Sequence, residues 1–92
     1  MTNVPNLGEI DVLAGPLPYP DDRKRFEGAL SRVQGAREVR GVGTVGKTHR
    51  VRLRYSDAVP LADRLRALKE FRLRVIAQSS TTVQVLVETS IG

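Results

Sequence analysis

The chain has 92 residues, 40% hydrophobic and 27% charged, with 15 Lys and Arg against 10 Asp and Glu. That suffices for one core in one small domain and falls below the usual size of a complete nucleotide-hydrolysing fold. Having no Cys excludes disulfides and thiolate metal sites, and no run approaches the roughly 20 apolar residues of a membrane span.

Aromatic residues are 4% of the chain, so the core must be built from Val, Leu, Ile and Ala. The formal charge of +5 is dominated by Arg and spread along the chain, which permits contact with nucleic acid or acidic partners. It equally fits the codon bias of a GC-rich genome. Residues 1–8 carry neither a basic cluster nor a signal-length apolar run, so they are expected to be a flexible leader on a cytoplasmic protein. Residues 9–92 form the single domain.

Glu9 to Ala14 alternates polar and apolar side chains, the period of a short strand. Pro16, Pro18 and Pro20 interrupt it, since none can donate to a ladder. Asp21 or Asp22 suits a helix start, and Phe26, Ala29, Leu30 and Val33 form one apolar stripe to about Gln34, where Gly35 stops it. Two alternating strands, about Glu38 to Gly43 and Thr48 to Tyr55, flank Thr44-Val45-Gly46-Lys47, a hairpin turn in which Gly46 supplies positive φ. A second helix from about Asp57 to Pro60 carries Val59, Leu61, Leu65 and Leu68 and ends near Phe71. Leu73 to Ala77 and Val83 to Glu88 are the last strands, joined by the polar turn Ser79-Ser80-Thr81-Thr82.

This order predicts an α+β sandwich of ferredoxin-like βαββαβ(β) type, two helices on one face of an antiparallel sheet. Leu30 to Val39, a helix end with Gly35 leading straight into a strand, resembles the same junction in heavy-metal-associated domains and related small bacterial regulatory domains. The resemblance implies the fold. Metal-binding members carry two cysteines in the loop before the first helix; Gly15 to Pro20 has none, so the metal function is not carried over.

Gly41 to Thr48 matches G-x-x-x-x-G-K-[ST], the phosphate-binding loop, with Lys47 in the place of the catalytic lysine and Thr48 in that of the metal-coordinating hydroxyl. That loop needs a buried strand before it and a helix after it. His49-Arg50-Val51-Arg52-Leu53-Arg54-Tyr55 alternates as a strand instead, so the match is expected to be a hairpin. His49, the sole histidine, is expected to be a solvated strand residue without a catalytic partner, and Asp21, Asp22, Asp57 and Asp63 are explained by helix starts.

The remaining constellation is Arg50, Arg52 and Arg54, on one face of a strand at about 6.5 to 7 Å spacing. With Val51, Leu53 and Tyr55 under the helices, these arginines point to the open face. They either form a binding surface for phosphates or carboxylates, or are neutralised by Glu9 and Asp11 on one neighbouring strand and Glu38 on the other. Stacking of single-stranded RNA needs exposed aromatic rings on the sheet, and Tyr55 is expected inward.

The sequence therefore leads to a non-enzymatic regulatory or protein-interaction module, self-associating or binding a protein partner, without metal or cofactor. A nucleic-acid module using Arg40, Arg50, Arg52 and Arg54 is the alternative.

Overall fold

Ile10, Val12 and Ala14 are buried along one side of the first strand, β1 (Gly8–Gly15), and around them the rest of the computed structural model is organised. The structure describes residues 8–69 and 71–89, so the expected leader lies outside the described residues except Gly8, which already belongs to β1. The chain continues through α1 (Pro20–Ser31), β2 (Ala36–Val45), β3 (Thr48–Tyr55), α2 (Leu61–Arg66), β4 (Arg72–Gln78) and β5 (Thr82–Thr89). This is the predicted order of elements.

The sheet runs β2-β3-β1-β5-β4 and is mixed. β1 is antiparallel to β3 but parallel to β5, which corrects the expectation of an antiparallel sheet. β5 takes the place beside β1, and β4 is displaced to the edge. The side chains account for this choice. Val83, Val85 and Val87 are all buried, as an interior strand requires. β4 exposes Arg72, Arg74 and Ile76 and carries a register shift between Val75 and Ala77, features that blunt an edge.

One face of the sheet supplies Ile10, Val12, Ala14, Val51, Leu53, Tyr55, Val83, Val85 and Val87 to a single core with Phe26, Ala29 and Leu30 of α1 and Leu61 and Leu65 of α2. The predicted stripe of α1 is therefore the buried one. The helix starts one residue earlier than expected: Pro20 is its first residue, where a missing N–H costs nothing, and Asp21 and Asp22 sit in its positive first turn rather than capping it.

α2 is shorter than the periodicity suggests. Ala67 and Leu68 close it with bonds to Arg64 and Leu65 carbonyls, and Phe71 then enters the core edge-on to Phe26, centroids 5.6 Å apart. Val59 lies before the helix, not on its stripe. Its N–H donates to Asp57 Oδ1 at 3.2 Å, and its carbonyl accepts the Tyr55 hydroxyl. That hydroxyl is raised above its ordinary pKa chiefly by burial.

Candidate anion-binding face

Gly46 has φ of 62° and Lys47 is not in the left-handed region, the pattern of a two-residue turn with glycine first. Val45 pairs with Thr48 across it. The apparent phosphate-binding motif is thus spread over the end of β2, a hairpin turn and the start of β3. No helix follows Thr48, so the helix N-terminus that would cradle a phosphate is missing from the motif.

His49 corrects the expectation of a solvated residue. It shares the parity of Val51, Leu53 and Tyr55 and is 6% exposed beneath α1. Its Nε2–H donates to Glu27 Oε2 at 2.6 Å, and its Nδ1 lies in hydrogen-bond contact with the Thr44 hydroxyl at 3.3 Å, tying the first helix to the hairpin. A Cβ on Gly41 would lie 2.5 Å from the same Glu27 oxygen, so the absent side chain is the space through which the carboxylate passes. The counting of alternate positions from Val51 back to His49 was the available signal, outweighed by the polarity of the residue.

The open face bears the predicted arginines. Arg52 Nε donates to Asp11 Oδ1 at 2.8 Å, and Arg50 Nη2 lies 3.5 Å from Asp11 Oδ2. Asp11 is held below its ordinary pKa, first by the hydrogen bond from Arg52 and against the opposing effect of burial. Arg52 is correspondingly raised. Arg54 Nε approaches Glu38 Oε1 at 3.7 Å, both side chains largely in solvent. Such exposed contacts contribute little.

Register adds what strand periodicity could not. β2 places Arg40 directly opposite Arg52 and Arg37 directly opposite Arg54. Facing residues of an antiparallel pair share a side of the sheet, so Arg37 and Arg40 join the three arginines of β3. Between them the register shifts, and Glu38 occupies this bulge with φ of 53°, a conformation that side chains other than Asn and Asp rarely adopt. The bulge restores the alternation and keeps both arginines on one face. Arg37 escaped sequence reading because its phase depends on that extra residue.

The face thus gathers Arg37, Arg40, Arg50, Arg52 and Arg54 against Glu9, Asp11 and Glu38. Asp11 serves two of the cations. The side chains of Arg37 and Arg40 have no hydrogen bond or ion pair among the described residues. Like charges facing each other across a strand pair repel, which leaves an electrostatic demand for an external anion. Farther along the same face, Leu13, Ile76 and Leu86 border a shallow groove with Lys47 and Gln84, so the basic cluster adjoins a small apolar patch.

Among the described residues no group of three or more His, Asp or Glu could hold a metal ion, and no helix is long and apolar enough to cross a membrane. No protein-family model matches the chain, and no curated protein or solved structure matches it.

Proposed function

We propose that this protein is a non-enzymatic interaction module that receives an acidic segment of a protein partner on the open face of its sheet. The observation that carries the reading is the opposition of Arg37 to Arg54 and of Arg40 to Arg52, with acids sufficient for only part of the set. Guanidinium groups on adjoining strands offer planar, bidentate donors to carboxylates, and strands hold them at fixed spacing. The adjoining Leu13, Ile76 and Leu86 would accept apolar side chains of the same partner. In this reading the fold is a ferredoxin-like βαββαβ unit with β5 inserted between β1 and the strand that follows the second helix.

Fluorescence anisotropy of a labelled oligoglutamate peptide carrying Leu residues tests the idea. Binding at low salt that falls at least tenfold in an Arg40→Glu/Arg50→Ser variant of unchanged fold is the expected result. Absence of binding, or equal binding by the variant, removes it.

A nucleic-acid partner is the second reading, favoured by the net charge of +5. It places phosphates on the same arginines, and it predicts log affinity for duplex DNA falling with log salt by about 0.9 per phosphate contacted. The inward Tyr55, 1% exposed, offers no stacking surface to bases, which is why the protein partner is preferred.

A further inference from the structure

At the end of the sheet where β1 and β2 begin and β3 finishes, Gly8, Gly35, Arg37, Arg54, Tyr55 and Ser56 line a concavity of about 340 Å³. That volume is at the small end of ligand sites and fits an anionic group rather than a whole nucleotide. Arg37 and Arg54, opposed in register on neighbouring strands of the hairpin, both line it. Arg37 has no ion partner among the described residues, and Arg54 has only the 3.7 Å approach of an exposed Glu38.

Of the nearby acids, Asp57 is held by Arg64 Nη2 at 2.9 Å and by the Val59 N–H, while Glu9 stands opposite Arg54 in register without an ion pair and offsets part of its charge. Asp57 is accordingly lowered from its ordinary pKa, first by the bond from Val59. Gly8 has φ of 89° with open space where a Cβ would stand, whereas Gly35, with φ of 90°, packs so closely on Asp57 that a Cβ would lie 2.8 Å from its Cβ, and its carbonyl is taken by the Ser56 N–H at 2.9 Å. Ser56 itself is exposed and lines the concavity.

We propose that this concavity is a binding site for a phosphate monoester group, gripped between Arg37 and Arg54 with the Ser56 hydroxyl as a further donor. A tetrahedral dianion offers separate oxygens to each fork and neutralises both members of the repelling pair, whereas a planar carboxylate has only two oxygens to divide between them. The inference deepens the reading of this face as the docking surface, since the group is either a phosphorylated side chain of the acidic partner or a free small phosphate ester.

The test titrates the full chain with inorganic phosphate and with glycerol phosphate, following phosphorus NMR line broadening and thermal unfolding, against sodium chloride at matched ionic strength. Wild type should show saturable binding and a saturable rise in Tm, as any ligand of the native state gives. Arg37→Ala and Arg54→Ala should lose affinity at least tenfold, Arg37→Lys severalfold through loss of the fork, and Lys24→Ala, exposed on α1 away from this face, should bind as wild type. A non-saturable rise equal in all variants, or unchanged affinity in Arg37→Ala, overturns the site; if Arg37→Ala does not fold, the Arg37→Lys result decides.

An acidic peptide with and without phosphoserine separates the two sources: tighter binding of the phosphorylated form assigns the group to a partner, equal binding beside retained glycerol phosphate affinity assigns it to a small ester. Oligoglutamate binding that depends on Arg40 and Arg50 without any phosphate binding would sink this site and leave the docking face standing. Phosphate binding without oligoglutamate binding would do the reverse.

Discussion

His49 Nε2 and Glu27 Oε2 lie 2.6 Å apart, joining strand β3 to helix α1 across 22 positions of sequence under the edge of the sheet. The imidazole is 6% exposed, so its ring nitrogens depend on protein partners, and both have one. Glu27→Ala leaves the Nε2 donor without its acceptor and should destabilise the fold by about 1–3 kcal/mol, the cost of orphaning a buried polar group. A cycle with His49→Leu measures the coupling, expected at about 0.5–3 kcal/mol in urea unfolding. Strictly additive losses would show that the pair does not hold the helix.

Gly41→Ala acts on the same pair from the other strand. The new Cβ falls 2.5 Å from Glu27 Oε2, and the carboxylate at the end of its flexible side chain must move away. The expected loss is about 1 kcal/mol or more, as for a broken hydrogen bond. It should largely vanish when Glu27 is already Ala, a non-additivity read from unfolding midpoints.

Glu38 and Gly46 form a contrasting pair of positive-φ positions. Glu38 at φ of 53° carries a side chain where glycine would be unstrained, and its ion contact at 3.7 Å is exposed. Glu38→Gly should therefore stabilise the protein by about 0.5–1 kcal/mol, the relief of the left-handed conformation exceeding the lost contact. Gly46, with nothing within 4 Å of a would-be Cβ, is required for conformation alone. Gly46→Val should cost about 1 kcal/mol or more, and Gly46→Asn clearly less, because Asn tolerates the left-handed region. Equal stability of Gly46→Val and wild type would contradict the hairpin turn.

Acid should weaken the fold through Asp11 and Asp57. Both carboxyls are depressed below their ordinary range in the folded chain, Asp11 chiefly by Arg52 and Asp57 chiefly by the Val59 N–H. Because the unfolded carboxyls take up protons first, the stabilisation is fully present above about pH 4 and is lost as pH falls through the lower folded values. Asp11→Asn should be less stable than wild type at neutral pH, and the difference should shrink on acidification. A constant difference from pH 7 to pH 2 would mean that the Asp11 charge plays no part.

The order of elements, the hairpin at Gly46 and the outward phase of Arg50, Arg52 and Arg54 were legible because each rests on local periodicity or turn chemistry. The neighbour of β1 was not. Val83, Val85 and Val87 announced a buried strand, but nothing local says that β5, rather than β4, lies parallel to β1. Arg37 was hidden by one bulge residue, and the Glu27–His49 bond by the distance in sequence between a helix and a strand. Val59 misled because an apolar residue at helical spacing is indistinguishable from one whose backbone serves Tyr55 and Asp57.

The face bearing Arg37, Arg40, Arg50, Arg52 and Arg54 is the proposed docking surface for an acidic partner. Amide shift mapping of the labelled chain during titration with the Leu-bearing oligoglutamate peptide tests it most directly. The expected result is perturbations concentrated on β2, β3 and Asp11, fading as salt is raised, with the amides of α1 and α2 unmoved. Shifts confined to the helices, or none at concentrations where the face should be occupied, would contradict it.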